Sequence, residues 1–151
     1  PFHGPRIGSD RNYGGVGVSD PAEQMGCRIS AEIAYRMAGI KDPKRELDLV
    51  ELNDAVAYQL PLWAEGIGLV GKGKGGKWID EGGMEKHRVN LSGGMLNGNP
   101  IMLGGLARAA EAILQLRGEA GERQVAGIKK ALAHGTTGAA GQHHAVVILE
   151  K

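Results

Sequence analysis

The sequence predicts a single α/β domain in which helices pack on a mixed β-sheet. Along some segments apolar residues recur at intervals of three and four, which is typical of helices. Along others they form short continuous runs, which is typical of buried strands. The two kinds of segment alternate, and a length of 151 residues is enough for one domain with a substantial core.

The composition excludes several classes of protein. The 18 lysine and arginine residues nearly balance the 17 aspartate and glutamate residues, so nothing indicates binding to nucleic acid or to a charged membrane. No apolar run approaches the roughly 20 residues that cross a bilayer. The single cysteine, Cys27, excludes an internal disulfide and fits a reducing compartment. We therefore expect a cytoplasmic protein.

Prolines and glycines without periodicity occupy the first 20 residues. We predict an arm or linker over 1–20 and one domain over 21–151. The chain begins at Pro1 rather than at methionine, so we expect it to be part of a longer protein.

The first half of the domain predicts a helix, a strand and a second helix. Asp20-Pro21 predicts the start of the first helix and Gly39 its end. Its apolar residues at helical spacing are Met25, Ile29, Ile33 and Met37. The run at 47–52 predicts a buried strand, and Asn53-Asp54 predicts the cap of a second helix, with a kink or break near 57–61. Open α/β sheets bind ligands at such strand–helix junctions.

Glycine and lysine dominate the segment 71–88, which predicts a loop. It does not match a phosphate-binding P-loop, because the hydroxyl residue and the preceding strand are absent. Lys72, Lys74 and Lys77 either contact a ligand phosphate or belong to a solvated loop, and we expect the solvated loop.

The segment 89–117 predicts a short strand, a glycine turn and a long helix. Asn99 is the expected cap of that helix and Pro100 its first residue, and we expect a small molecule at this junction. The predicted buried stripe consists of Met102, Leu106, Ala109, Ile113 and Leu116, with Arg108, Glu111 and Gln115 on the opposite side. Gly118 predicts the end of the helix.

Two strands are expected at the end of the chain, over 128–133 and 145–149, with a glycine-rich turn that begins at His134 between them. His143 and His144 are adjacent and therefore point to opposite faces of a strand. We do not expect them to share a metal ion, and we predict no metal site.

Five motifs occur in a defined order: ELNDAVA at 51–57, VNLSGG at 89–94, GNP at 98–100, QLRGEAGERQV at 115–125 and the glycine turn after His134. In this order they resemble the C-terminal half of the thiolases, with the greatest likeness to the sterol-carrier-protein type and its archaeal relatives. The resemblance implies a thiolase-like fold, coenzyme A thioesters as substrates and no covalently bound cofactor.

Thiolases consist of two similar halves, and the N-terminal half supplies the cysteine that carries the acyl group. The resemblance implies such a partner half, in the same or a separate chain, and a homo- or hetero-oligomer. Asn53 matches the asparagine of the family's N-E-A-F motif, which helps to form an oxyanion hole through a water. Asn99 stands where the family has the histidine of its G-H-P motif. The family's second cysteine has no counterpart at Ala55 or in the turn 134–138.

The resemblance implies Asn53, Asn99 and His134 as catalytic residues. An amide does not titrate, so Asn99 can polarise a thioester carbonyl but cannot generate a thiolate. His134 is then the remaining acid/base candidate, unless it is a packing residue. Helix capping alone is the alternative for both asparagines. Main chain is expected to approach the ligand at Ser92, Gly93, Gly94, Gly98 and Gly138.

Three functions are compatible with the resemblance. The first is a thiolase-type acyltransferase acting on 3-ketoacyl-CoA or acetyl-CoA, and we favour it. The second is a thiolase-like aldolase that cleaves a 3-hydroxyacyl-CoA with an OB-fold acyl-CoA-binding partner, because the G-H-P histidine and the second cysteine are missing. The third is a non-catalytic domain that binds acyl-CoA or assembles with a catalytic partner.

Overall fold

The computed structural model describes residues 6–9, 24–100, 102–137 and 143–151. Within these ranges the strands form one four-stranded sheet of order β1-β4-β3-β2. The strands are Arg6–Ser9 (β1), Leu49–Glu51 (β2), Lys130–Thr137 (β3) and His143–Glu150 (β4). β2 and β3 are parallel, whereas β4 is antiparallel to both β3 and β1. The predicted mixed sheet is confirmed.

Helices cover both faces of the sheet. They are Met25–Ala38 (α1), Pro43–Glu46 (α2), Gln59–Gly66 (α3), Gly75–Asp80 (α4), Gly83–Lys86 (α5), Gly94–Asn97 (α6) and Gly104–Arg117 (α7), and a 3₁₀ turn spans Gly121–Arg123. In the ranges described, none of the helices is long and apolar enough to cross a bilayer.

Successive residues of the strands point into two separate cores, as the alternation of a strand requires. Val50 and Leu132 pack with α1 and α3 on one face. Leu49 and Ala131 pack with Ala112 of α7 on the other. The sheet is therefore the middle layer between two helical layers.

Both predicted helix ends are confirmed. Gly39 ends α1 with φ 72°, and Gly118 ends α7 with φ 77°, a left-handed conformation that favours glycine. The predicted start of α1 at Asp20-Pro21 lies outside the described residues. β1 falls inside the predicted arm, and Ile7 pairs with Ala145 at the sheet edge. The division of the chain at residue 20 stays a prediction.

The predicted start of the second helix is wrong, and regular helix begins only within the stretch 57–61 where a kink or break was expected. α3 begins at Gln59, six residues after Asn53, because Asn53 makes other contacts. Pro61 is the third residue of α3. Main-chain N–H groups in the first turn of a helix have no acceptor inside the helix, so proline removes no hydrogen bond at this position.

The predicted loop over 71–88 is also wrong, because α4 and α5 lie within it. The carboxylate of Glu65 accepts hydrogen bonds from the main-chain N–H groups of Gly73 (2.9 Å) and Gly75 (2.7 Å), which fixes the entry to α4. In place of the strand predicted at 89–91, Val89 forms a single parallel bridge with Val50.

α7 begins at Gly104 rather than at Pro100. Its buried side matches the predicted stripe at Leu116 and, in part, at Ala109, but not in the first turns of the helix. Met102 and Leu106 are 96% and 67% exposed, whereas Arg108 and Glu111 are buried. The spacing identified an amphipathic helix correctly. It could not show which side faces the sheet, because charged residues can be buried when they are paired.

Buried charges on α7 have such partners. Arg108 forms an ion pair with Glu51 (3.6 Å), and Glu111 pairs with Arg123 (2.9 Å). The side chain of Gln115, also buried, donates to the carbonyl oxygen of Arg123 at 2.8 Å. α1 shows a milder version of the same arrangement, since its small residues face the sheet and the apolar residues Ile29 and Met37 are partly exposed.

Candidate functional site

Asn53 and His134, two of the predicted site residues, lie at one end of the sheet. β2 and β3 are parallel, so their carboxyl ends lie side by side. Asn53 follows β2, Thr136 and Thr137 end β3, and the first turn of α7 approaches the same edge, where Gly105 lies against Gly135.

Asn53 is buried, and its main-chain N–H and carbonyl oxygen both form hydrogen bonds with side chains. Its N–H donates to Nδ1 of His134 (3.4 Å), and its carbonyl oxygen accepts from Nε1 of Trp63 (2.8 Å). Its side-chain Nδ2 donates to the carbonyl oxygen of Thr136 at 3.5 Å. A Cβ on Gly104 would lie only 2.8 Å from that nitrogen, so glycine lets α7 approach the amide. Asn53 therefore does not cap α3.

Hydrogen bonds within the turn and to neighbouring residues fix the turn at Ser92, Gly93 and Gly94. The Ser92 N–H and hydroxyl donate to the two carboxylate oxygens of Glu51, at 3.1 and 2.6 Å. The Gly93 N–H donates to the carbonyl of Asn90, and the Gly94 N–H donates to the Ser92 hydroxyl. All three N–H groups of the turn are therefore engaged. A ligand here would contact the glycine Cα atoms or carbonyl oxygens.

Glu51 was not predicted as a functional residue. Its carboxylate is fully buried between Ser92 and Arg108. Burial raises the pKa of Glu51, and the Ser92 hydrogen bonds and the Arg108 charge act in the opposite direction. The available signal was an acidic residue inside the apolar run 47–52, which a buried strand tolerates only with partners.

Gly98 and Asn99 are exposed and precede α7 by several residues. The residue that caps α7 is Leu103, so Asn99 does not cap this helix. Met102 has φ 70°, a conformation that costs a non-glycine residue on the order of 1 kcal/mol and turns the chain into α7. The amide of Asn99 is thus left accessible ahead of the helix. Gly138, another predicted ligand contact, lies outside the described residues.

His134 lies within β3, not in a turn, and is fully buried. Trp63 contacts its ring and that of His144, with centroids 5.5 and 4.8 Å away. Since the Asn53 N–H donates to Nδ1, the proton of the neutral imidazole is on Nε2, which donates to Nδ1 of His144 at 2.9 Å. Burial, with a smaller contribution from His144, lowers the pKa of His134 to about 3. This geometry favours the packing alternative over general acid/base chemistry.

Cys27 of α1 adjoins the same cluster. Its sulfur and a ring nitrogen from each of His134 and His144 lie within 4.8 Å of one another. Burial raises the pKa of the Cys27 thiol to about 12, so the thiol is protonated. The hydrogen bonds oppose a shared metal ion, because Nε2 of His134 and Nδ1 of His144 are engaged with each other.

A groove of about 230 Å³ opens beside the first turn of α7. Met102 and Leu106 form its apolar side, and Thr136 lies opposite. Its floor is main chain, where a Cβ on Gly105 would lie 2.9 Å from the Cα of Gly135.

His143 also lines the groove, and sequence reasoning did not identify it as a site residue. It is exposed and pairs with Thr137 across the strands, whereas His144 is buried. The opposite orientation of the two histidines was predicted and is confirmed. Knowing that His143 is the accessible one required the register between β3 and β4.

A family model described as thiolase C-terminal domain-like matches residues 14–151. The chain belongs to this thiolase family. The predicted recognition and the thiolase-like fold are confirmed.

Individual relatives of this thiolase domain agree with the family model. Sterol carrier protein 2 of Oryctolagus cuniculus is 40% identical over 119 residues, which are 74% of this chain and 21% of that protein. An acetyl-CoA acetyltransferase of Methanothermobacter thermautotrophicus is 40% identical over 121 residues, which are 76% of this chain and 31% of that protein. The thiolase domain thus spans about a fifth to a third of these relatives.

The fold has a counterpart among solved structures. The structure of an Ltp2-ChsH2(DUF35) aldolase matches the thiolase domain with a TM-score of 0.77 and 18% sequence identity. The match covers 99% of this chain and 39% of that chain. At this level of identity the likeness establishes the fold.

Proposed function

We propose that this thiolase domain is the C-terminal half of an acyl-CoA acyltransferase that acts on a 3-ketoacyl-CoA together with an N-terminal half. The observation that carries the proposal is the position of Asn53. It is held rigidly at the carboxyl end of β2, against the first turn of α7 and beside the groove. The similarity to an acetyl-CoA acetyltransferase supports the same substrate class.

The proposed reaction breaks the C2–C3 bond of the 3-ketoacyl-CoA. The acyl group passes to a cysteine of the N-terminal half and then to coenzyme A, which yields a shortened acyl-CoA and acetyl-CoA. Negative charge develops on the thioester oxygen of the departing acetyl-CoA when the bond breaks. Donors preorganised toward that oxygen contribute about 3 kcal/mol each.

Two asparagines are the proposed donors. Asn99 is exposed ahead of α7 and donates directly to the thioester oxygen, and Asn53 acts through a water. The glycines Gly93, Gly94, Gly98 and Gly138 let the ligand approach the main chain. His143 is the imidazole that can reach a ligand in the groove, so it replaces His134 as our candidate for proton transfer.

The exposed apolar side of α7 supports the need for a partner. Met102, Leu103 and Leu106 are all more than half exposed beside the groove. Apolar side chains at adjacent positions mark an interaction surface. We propose that the N-terminal half covers this surface and brings its cysteine to the groove.

The test is an assay of the domain with its N-terminal half. The two would be purified together, given a 3-ketoacyl-CoA and coenzyme A, and followed by the loss of the 3-keto thioester. We expect cleavage that requires coenzyme A and falls by about 100-fold with Asn99→Ala. Absence of turnover above a boiled control would overturn the proposal. Binding of acyl-CoA without turnover would favour a non-catalytic domain.

One observation favours a second candidate, an aldolase that cleaves a 3-hydroxyacyl-CoA. The only cysteine of the chain, Cys27, is buried with a protonated thiol, so this half offers no accessible cysteine to act as a second base. A retro-aldol step needs a base for the hydroxyl and donors for the enolate, but no such cysteine. An OB-fold acyl-CoA-binding subunit is the partner proposed for this reaction. Release of a carbonyl product without consumption of coenzyme A would identify it.

A further inference from the structure

We infer that His134 and His144 are positioning residues for Asn53, and that they form a hydrogen-bonded link of fixed proton direction between Asn53 and β4. The inference rests on the proposed function, in which the placement of Asn53 matters because Asn53 is one of the two donors. It also makes a claim about hydrogen bonds in the unliganded domain, which can be tested without any substrate.

The link consists of two successive hydrogen bonds. The main-chain N–H of Asn53 donates to Nδ1 of His134, and Nε2–H of His134 donates to Nδ1 of His144. His144 is itself part of the groove wall. The His144 ring points away from His143 and packs against Trp63, so the link ends in the buried core beneath the groove.

Asn53 depends on this link because it lies outside regular secondary structure. β2 ends at Glu51 and α3 begins only at Gln59, so no ladder holds its main chain. His134 accepts its N–H, and Trp63 donates to its carbonyl oxygen. Trp63 also packs against both imidazoles. One buried cluster thus fixes both peptide planes around Asn53, and with them the direction of its side chain.

Other elements brace the cluster. Ser30 of α1 donates to the main-chain carbonyl oxygen of His144 at 3.2 Å, which ties β4 to the helix. Among the described residues, Cys27, also from α1, lies against the pair, and its thiol is protonated. The bond from the Asn53 N–H to Nδ1 of His134 places the His134 proton on Nε2, and so sets the direction of the bond to His144.

The direct test is nuclear magnetic resonance of the uniformly ¹⁵N-labelled 151-residue chain at neutral pH. We expect a coupling across the hydrogen bond between Nε2 of His134 and Nδ1 of His144, and nitrogen shifts of His134 typical of the Nε2–H tautomer. The Nδ1–H tautomer would overturn the inference. Loss of the coupling on addition of one equivalent of Zn²⁺ or Cu⁺ would also overturn it, because the cluster would then be a metal site.

Two substitutions of similar severity separate positioning from packing. Asn at position 134 can keep an acceptor near Nδ1, so His134→Asn preserves the bond to Asn53. Gln at that position extends to Nε2, so His134→Gln preserves the bond to His144 and loses the bond to Asn53. We expect exchange of the Asn53 amide hydrogen to quicken about tenfold or more in His134→Gln and much less in His134→Asn.

The amide of Leu132, in the middle of β3, reports global unfolding in the same spectra. Equal quickening at Asn53 and Leu132 in both variants would mean that His134 only packs, and would overturn the inference.

The carbonyl stretch of bound [1-¹³C]acetyl-CoA gives the functional readout. The stretching frequency should shift toward that of the free ligand in His134→Gln. In His134→Asn it should stay at the value of the wild-type complex. If acetyl-CoA does not bind the wild-type domain or its complex, the proposed function fails while the hydrogen-bond test stands.

Discussion

Nε2 of His134 lies 2.9 Å from Nδ1 of His144, within a core where both rings lie against Trp63. Burial disfavours the charged form of His134, and the neighbouring His144 adds to this effect. The pair therefore couples the stability of the domain to pH.

Acid should destabilise the domain through His134. Its pKa is about 3 when folded and near 6.5 when unfolded, so below pH 6.5 the unfolded state binds a proton that the folded state does not. The stability is fully present above pH 6.5 and is lost as the pH falls toward 3, by up to about 1.4 kcal/mol per pH unit. Urea unfolding at several pH values measures the slope. His134→Gln should flatten it, and an unchanged slope would contradict the assignment.

The two candidate asparagines should respond differently to alanine. Asn99 is exposed and caps nothing, so Asn99→Ala should change the free energy of unfolding by less than about 0.5 kcal/mol. Asn53 is buried and hydrogen-bonded through its side chain, so Asn53→Ala should cost about 1 kcal/mol or more. Both should lower turnover of the complete enzyme by about 100-fold. Thermal unfolding and steady-state kinetics test the pair, and a large stability loss in Asn99→Ala would restore a structural role.

Breaking the buried ion pair between Glu51 and Arg108 should be strongly destabilising. Glu51→Gln leaves the buried Arg108 guanidinium without its ion-pair partner and weakens the anchor of Ser92, so we expect a loss of about 3 kcal/mol. The double variant Glu51→Gln with Arg108→Met removes both charges and should recover part of that loss. Chemical denaturation of the wild type, both single variants and the double variant gives the coupling energy. A coupling energy near zero would contradict the pairing.

The contact between Gly105 and Gly135 should not tolerate a side chain. Gly105→Ala would place its Cβ 2.9 Å from the Gly135 Cα, so we expect a loss of about 1–3 kcal/mol and an altered groove. Gly98→Ala is the matched control, because a Cβ there meets nothing within 4 Å and φ is −163°. Urea denaturation compares the two variants. Equal stability would show that α7 can shift away from β3 at little cost.

The exposed side of α7 should bind the partner half. Leu106→Ser removes an exposed leucine, so the domain should keep its stability within about 0.5 kcal/mol and lose affinity for the N-terminal half. Ile29→Ser is the comparison on α1, which lies on the opposite face of the sheet. Sedimentation of each variant with the partner measures binding. An equal loss of affinity in both variants would show that the partner does not bind specifically to α7.

The sequence predicted features that local chemistry determines. The glycines at 39 and 118 end helices because they adopt left-handed conformations, and 47–52 contains a strand because its apolar run is too short for a helix. The spaced motifs also identified the family.

Features that depend on distant partners were not predictable. The buried side of α7 depends on Glu51 and on Arg123, which neutralise its charges. The burial of His134 depends on Trp63, and on β3 running three residues beyond it to Thr137. The helix predicted at Pro100 begins later because Met102 takes a left-handed conformation, which nothing in its own side chain favours.

Main chain determines the shape of the groove at its glycine floor, whereas side chains determine its chemistry. Where α7 crosses β3, Gly105 and Gly135 meet through main chain, so the spacing of the two elements does not depend on any side chain. The side chains above that crossing, such as Met102 and Leu106, extend into solvent and can be exchanged without moving the frame. A scaffold of this kind can acquire a new ligand preference by substitutions in the groove wall while the backbone beneath stays the same.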